Sequence, residues 1–383
     1  MLEALFWVSV LLGVYPYAVY PVLVRLVAGV VHRPIDRAAT HMPRITVITA
    51  AFNEAAHIEA TVRNKLTQQY PAGLIDVIVV SDESTDGTDE IVQRIAAESG
   101  RVRLLRQQPR QGKTAGLNLA MREARGELIV FADANSIYRP DAIAKLARNF
   151  ADPKIGYVTG KMVYVNPDGS LVGDGCSAFM RYENALRAAE TRIGSIVGVD
   201  GGVDAVRKAL YRPMRADQLP DFVLPLTVVE QGYRAVYEPD AILTEETLTT
   251  QSSEYRMRVR VALRALWALW DKRNLLNPFK TGLFAWQLWS HKLLRYLSFV
   301  PLGAALVLNW LLLSRGPLYL AAAALQVVFV LFVLAAVAGP RALGQSALGR
   351  YCFYFALLNW ASAVAFVRFI RGQKQVLWQP RTG

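Results

Sequence analysis

No charged residue occurs between Glu3 and Arg25, an apolar run of about 21 positions. At a helical rise of about 1.5 Å per residue that is enough to cross about 30 Å of hydrocarbon. Charge disappears again from Tyr296 to Ser314, from Gly316 to Pro340 and from Tyr351 to Val367. The pattern predicts one transmembrane helix over 1–30 and three more within 296–371, at about 296–314, 316–338 and 351–370, followed by a basic tail over 372–383.

The segment 31–250 has a different rhythm. Short apolar runs at Ile45–Ala50, Asp76–Val80 and Leu128–Ala132 read as strands, with a helical stretch up to about Gln69 and Asp- and Gly-rich turns at the strand ends. Strands alternating with helices imply an α/β domain with a mostly parallel sheet, whose ligands bind beyond the strand C-termini. Three polar clusters occupy such ends: Asn53 and Glu54, Asp82 to Thr88, and Asp133 to Asn135. Neither Gly-x-Gly-x-x-Gly nor Gly-x-x-x-x-Gly-Lys-Ser/Thr follows the first strand, which argues against a dehydrogenase or a P-loop ATPase.

Residues 251–295 read as amphipathic and interfacial. Val259, Ala262, Leu263, Leu266, Trp267 and Trp270 share one broad helical face, while Arg256, Arg260 and Arg264 recur every fourth position on another, as on a helix lying against lipid phosphates. The stretch Trp286–Arg295 reads as a structural aromatic and basic anchor before a membrane run.

Composition supports the membrane reading: 53% of the 383 residues are hydrophobic and 19% charged. The formal charge of +12 then points to an anionic membrane surface and an anionic substrate rather than to nucleic acid. Two cysteines, Cys176 and Cys352, are too few for a disulfide framework or a thiolate metal site. The long first apolar run, preceded only by an acid, reads as a retained helix rather than a cleaved signal. Arg25, Arg33, Arg37 and Arg44 follow it, so the positive-inside rule places the middle domain in the cytosol, in a bacterial inner membrane. Three later crossings would then export the basic tail against the same rule, so either the last run is not a full span or the rule fails here.

The motifs resemble those of the family-2 glycosyltransferases, the group that includes cellulose, chitin and hyaluronan synthases. Ala50-Ala51-Phe52-Asn53-Glu54 is similar to that family's first-strand signature, and Asp82-Glu83-Ser84-Thr85-Asp86-Gly87-Thr88 to its Asp-x-Ser-x-Asp-Gly-Thr motif. Gly112-Lys113 with Leu117-Asn118, and Asp133-Ala134-Asn135 after an apolar strand, extend the resemblance over roughly 43–300. It implies a GT-A fold, a Rossmann-like α/β nucleotide-diphospho-sugar transferase domain, and a nucleotide-sugar donor, with UDP expected.

On that resemblance Ala51, Asn53, Glu54, Asp82, Lys113 and Asp133 are the nucleotide-binding candidates. Asp82 offers an acceptor to a base imide N–H, and Lys113 a charge to phosphate. Ser84, Asp86 and Thr88 serve equally well as turn and helix caps. Asp133 and Asn135 would hold Mg²⁺ or Mn²⁺, which neutralises charge on the leaving diphosphate, although the family usually ends this motif with a second Asp. Asp221, in Leu219-Pro220-Asp221-Phe222, is the candidate general base, with Asp217 as a local rival. Gly201 and Gly202 allow close approach of sugar or acceptor. Membrane members of the family carry Gln-x-x-Arg-Trp, and here Tyr255-Arg256-Met257-Arg258-Val259 keeps Arg258, with Arg256 beside it, as the acceptor or pyrophosphate candidates. The tail Gln375–Arg381 faintly resembles a Trp-x-x-Arg gating segment.

These readings predict a metal-dependent inverting glycosyltransferase that moves a sugar to a lipid-linked or polysaccharide acceptor. The alternative is a processive β-polysaccharide synthase coupled to translocation, against which the missing Gln and Trp argue. A transporter or a non-catalytic scaffold is the alternative of another class. The apolar runs bury no ionisable group, and Asp82, Asp133 and Asp221 are all present.

Overall fold

A computed structural model describes residues 1–165, 174–246, 251–338 and 346–376. The tail reading on Gln375–Arg381 lies outside these residues from position 377 onward, and the side chain of Cys176 also lies outside the description.

The chain opens with α1 (Leu2–Val30), 29 residues long. It loosens into a π-helical turn at Tyr15–Val19, where Pro16 withdraws a backbone donor. The domain then runs β1 (Ile45–Ala51), α2 (Ile58–Leu66), β2 (Ile75–Ser81), α3 (Thr88–Glu98), β3 (Val102–Arg106), α4 (Lys113–Glu123), β4 (Leu128–Asp133), β5 (Ile137–Tyr138), α5 (Ala142–Ala147) and β6 (Ile155–Val165). After these come α6 (Asp174–Ile193), β7 (Asp204–Arg207), α7 (Pro220–Glu230) and β8 (Arg234–Glu246).

The eight strands form one sheet in the order β3-β2-β1-β4-β7-β6-β8-β5. The pairs β1 with β2, β1 with β4, and β2 with β3 are parallel, whereas β7 runs antiparallel to both β4 and β6. The expected parallel sheet is therefore the first half of a mixed one. β1 is buried along its whole length because both faces are covered, which is why it reads as a continuous apolar run. Ile45 and Val47 pack with Ile58 and Val62 of α2 and Val92 and Ile95 of α3, while Ile48 and Ala50 pack with Leu117 and Ala120 of α4 and Val223 and Leu226 of α7. Each fully buried aliphatic side chain of this kind contributes about 1.5–3 kcal/mol. The two-sided burial fixes where β1, β2 and β4 end, and so where their polar clusters stand.

Beyond the domain come α8 (Gln251–Asp271), α9 (Leu283–Leu297), α10 (Phe299–Leu311), α11 (Pro317–Ala338) and α12 (Ala347–Ile370). Among the described residues α1, α11 and α12 are long and apolar enough to cross a membrane, and α9 with α10 makes a fourth span if that pair, bent by 55°, is counted as one. The run predicted as a straight helix from 296 to 314 is thus broken at Ser298, and α10 covers only its middle.

Helix α8 differs from the lipid-facing helix expected of it. Val259, Ala262, Leu263 and Leu266 pack against Ala361 and Ala365 of α12, and Ala265, Ala268 and Leu269 join the core beneath the sheet. Most of both apolar faces is covered by protein, with Trp270 left 55% exposed at the end of the helix. Past the end of α12, Lys374 Nζ lies 2.6 Å from Asp217 Oδ2, and Trp267 Nε1 donates to the Gln373 carbonyl at 2.9 Å. The start of the tail therefore lies beside the α/β domain. The Trp286–Arg295 anchor is also docked on protein: His291 lies between Glu190 (2.7 Å) and Glu183 (3.3 Å) of α6, and Arg295 pairs with Glu183 at 2.5 Å.

Candidate active site

Three side chains from separate elements meet beyond the sheet. Asp133 ends β4, Lys113 opens α4 and Asp221 stands in the first turn of α7. Lys113 Nζ lies 2.6 Å from Asp133 Oδ1 and 3.8 Å from Asp221 Oδ1. The pairing of Lys113 with two carboxylates raises its pKa despite burial. Burial raises the Asp221 carboxyl above the usual carboxylate range, against the opposing pull of Lys113.

Gly201 and Gly202 close the same space with φ of 86° and 76°, a region that disfavours side chains. A Cβ on Gly201 would stand 3.0 Å from the Asp221 carboxyl carbon, and one on Gly202 would stand 3.4 Å from Asp133 Oδ2 and 3.2 Å from Ser136 Oγ. Asp200, just before them, is held by a bidentate pair with Arg187. Tyr138 donates to the carbonyl of Gly202 at 2.6 Å and of Phe131 at 3.0 Å, tying the glycine turn to β4.

The loop after Asp133 is held from below. Lys65, fully buried on α2, donates to the Ser136 carbonyl at 2.6 Å and places its ammonium 3.9 Å from the Tyr138 ring centroid. Burial lowers its pKa to about 7, opposed by Asp133. Thr61 Oγ1 donates to the Ala134 carbonyl at 2.7 Å. Asn135 is half-buried in the turn, and the Ser136 hydroxyl is buried with no hydrogen-bond partner among the described residues.

The first two motifs lace into each other. Asn53 N donates to Ser84 Oγ, Glu54 N to Thr88 Oγ1 and Ala55 N to Asp86 Oδ2, while Asn53 Oδ1 accepts from Thr85 N at 2.9 Å. Ser84, Asp86 and Thr88 thus hold the 53–55 turn, and Asp86 also accepts from Thr88 N at 3.1 Å, while the N-cap of α3, Gly87, brings no side-chain bond. The Ala51 carbonyl accepts from Asp82 N at 2.8 Å. The Asp82 carboxylate accepts from Gln107 Nε2 (2.5 Å), Gln111 N (2.9 Å) and Gly112 N (3.0 Å), and Arg110 Nε lies 3.5 Å away. In this state Asp82 shapes the 107–112 loop that leads into Lys113. Arg110 also stacks on Phe52, 3.5 Å from the ring centroid.

The arginine candidates of α8 make contacts of their own. Arg256 is exposed, and Arg258 donates to the Tyr354 hydroxyl of α12 at 2.5 Å. Arg264, read from sequence as a lipid contact, is instead 7% exposed and aimed into the domain. It donates to Thr114 Oγ1 (3.3 Å), to the Asp217 carbonyl (3.2 Å) and to the Gln218 carbonyl, so one guanidinium ties α8 to the start of α4 and to the segment before Asp221. Burial lowers its pKa to about 10. Its period-four spacing with Arg256 and Arg260 concealed this, because spacing on a helix does not say which face another element covers.

Asp204, on β7, stands outside the motifs that carry the resemblance. It is 1% exposed, and neither oxygen makes a well-formed hydrogen bond among the described residues, although the Tyr157 and Thr159 hydroxyls face it. Burial, with Asp221 nearby, raises its pKa to about 7. An acid two residues after a Gly-Gly pair was the available clue.

The sheet and the crevice define a GT-A glycosyltransferase fold. The mannosyltransferase PcManGT from Pyrobaculum calidifontis, solved in complex with GDP-Man and Mn²⁺, superposes with a TM-score of 0.75 at 24% identity, covering 97% of this chain and 100% of that one. The sequence profile of glycosyl transferase family 2 matches residues 46–194, and the chain carries a domain of that family. The poly-beta-1,6-N-acetyl-D-glucosamine synthase of Staphylococcus aureus (strain COL) is 26% identical over 240 residues, 61% of this chain and 56% of the relative. The beta-monoglucosyldiacylglycerol synthase of Nostoc sp. is 28% identical over 169 residues, 44% of this chain and 36% of the relative. The matched region thus spans about half the length of the curated relatives or less.

Proposed function

We propose that the protein is an inverting glycosyltransferase that moves a sugar from a nucleoside-diphosphate donor to a membrane-held glycan or lipid acceptor. The observation that carries the reading is the convergence of Asp133, Lys113 and Asp221 under the Gly201–Gly202 turn. In the transfer an acceptor oxygen attacks the anomeric carbon, the bond from that carbon to the diphosphate oxygen breaks, and Asp221 takes the acceptor proton. The raised carboxyl pKa of Asp221 brings its proton affinity closer to working pH. Lys113 offsets charge on the departing nucleoside diphosphate, and the glycine turn leaves room for the sugar.

The donor set is thin for a metal, since no group of three or more His, Cys, Asp or Glu among the described residues is arranged to hold one. One carboxylate with an amide oxygen nonetheless fits an ion that takes most of its ligands from substrate phosphates. The unpartnered Ser136 hydroxyl beside Asp133 adds a third oxygen. Asp133 and Asn135 would hold Mg²⁺ or Mn²⁺, which when bound supplies Lewis-acid stabilisation of the diphosphate.

A membrane acceptor is supported by the apolar helices and by the glycolipid synthase among the relatives. With Lys374 on the domain side, an even number of crossings follows the domain, as the two long apolar helices α11 and α12 would make if the bent α9–α10 pair is re-entrant. Such a count would agree with the positive-inside rule and supports the reading of a cytosolic domain on an inner membrane. The polysaccharide synthase among the relatives favours repeated addition as a second reading.

The test is nucleoside diphosphate release by the full chain in nanodiscs, with Mg²⁺ or Mn²⁺, across a panel of UDP- and GDP-sugars with native lipid extract as acceptor. One donor should give metal-dependent release that Asp221→Asn removes, and product sizing then separates single addition from a polymer. Absence of both release and donor binding over the whole panel would sink the proposal.

A further inference from the structure

At the far end of α7 from Asp221, a second cavity of about 320 Å³ opens between the end of α6, the start of β8 and the start of α9. Its walls include Arg33, Arg234, Lys280, Leu283 and Gln287. The Arg234 guanidinium is held rigidly by the carbonyls of Gly194 (2.9 Å), Thr191 (2.9 Å), Pro34 (3.1 Å) and Arg33 (3.2 Å), and among the described residues no carboxylate pairs with it. Arg33 and Lys280 are exposed and likewise carry no ion pair among the described residues. Three cationic side chains thus surround one opening, and the buried Asp152 carboxylate acts on Arg234 through space without an ion pair to it.

Two further features give the opening donors. Helix α9 begins here at Gly282 with no side-chain cap, and its first peptide N–H groups have no partner within the helix. One turn on, Gln287 is 1% exposed, and its Nε2 has no hydrogen-bond partner among the described residues. A buried amide donor left unpaired is costly, and a bound acceptor would remove that cost. Cations, peptide donors and an unpaired amide together describe a receptor for a phosphate oxygen cluster.

We infer that this cavity binds the phosphate of an anionic membrane lipid headgroup. The surroundings favour a lipid over free phosphate. Arg33 stands three positions past the end of α1, where Val30 is 88% exposed, and Lys280 follows Phe279, which is 99% exposed. Leu283, on the cavity wall, is 41% exposed. Charge at the opening with bare apolar side chains at its edge matches a headgroup held by the cations and acyl chains lying along Phe279 and Leu283.

Thermal unfolding of the full chain in neutral detergent tests this, with dioctanoyl-phosphatidylglycerol, dioctanoyl-phosphatidylcholine and inorganic phosphate as separate additives. The phosphatidylglycerol should raise the melting temperature saturably, by linkage to the folded state. The double variant Arg33→Gln with Lys280→Gln, both at exposed positions, should need about tenfold more lipid for the same shift, and Gln287→Leu should also weaken it. An equal shift from the phosphatidylcholine, or a phosphatidylglycerol response unchanged in the double variant, would overturn the proposal. An equal shift from inorganic phosphate at the same concentration would overturn the lipid source and leave a free-phosphate site.

Discussion

Lys113 Nζ sits 2.6 Å from the Asp133 carboxylate, and so occupies the side of that acid where a cation is wanted. It is also 3.8 Å from Asp221, so one ammonium links the candidate metal acid to the candidate base. The charge balance of the crevice rests on this arrangement, and the first two predictions come from it.

Replacing Asp221 with Asn keeps shape and removes the proton acceptor. Turnover should fall by about 10²–10⁴-fold while donor affinity stays near that of the parent. Steady-state release assays beside donor titration check this, and a parallel loss of donor binding would assign Asp221 to the donor site instead.

Asn135→Asp adds a second carboxylate to the turn after β4. Mn²⁺ affinity should rise about tenfold, equivalent to about 1.4 kcal/mol, because ligand charge sets the strength of such sites. Titration followed by Mn²⁺ electron paramagnetic resonance reads this directly, and unchanged affinity would remove residue 135 from the ligand set.

Asp204 gives a pH dependence with a definite sign. Its folded-state pKa of about 7 lies above the value of an unfolded Asp. Between about pH 4 and 7 the folded protein therefore keeps a proton that the unfolded chain has lost. Its contribution to stability is full at the acid end and falls as pH rises through that window. Asp204→Asn should flatten the decline and melt higher than the parent at pH 8, as a set of buffered melting curves would show. Parallel curves for the two proteins would contradict the assignment.

Arg264→Gln should loosen α8 from the segment ahead of Asp221. Losing charge-assisted bonds to the Ala216, Asp217 and Gln218 carbonyls and the Thr114 hydroxyl predicts destabilisation of about 1.5–3 kcal/mol, and turnover should fall with it. Denaturant midpoints and activity measured together decide the matter. A variant as stable as the parent would mean that Arg264 bears no such load.

A Lys374→Cys change in a background lacking Cys176 and Cys352 reports which side of the membrane the tail occupies. Labelling by an impermeant thiol reagent should occur only from the side that also exposes the α/β domain, because Lys374 reaches Asp217. Labelling from the opposite side would mean an odd number of crossings after the domain and would contradict the contact between Lys374 and Asp217.

Much of the site was legible because its chemistry is local. A strand buried on both faces must read as an apolar run, so the ends of β1, β2 and β4 could be located, and with them Asn53, Asp82 and Asp133. The third strand, Val102–Arg106, does not read as one: it is a short edge strand in which Arg103 and Arg106 interrupt the apolar run. The pairing of Asp82 with the 107–112 loop was equally hidden, since it joins residues 25 to 30 positions apart.

The amino-acid sequence alone determined the family resemblance, the apolar helices and the residue types of the crevice, because motif chemistry and hydrophobic runs are written over a few consecutive positions. Only the tertiary structure decided that Arg264 turns inward, that Asp204 lies buried near Asp221, that α12 covers α8 and that Lys374 returns to the domain. Those outcomes depend on which distant surface covers a given helix face or strand, and a periodic pattern says that a face will be covered without saying by what.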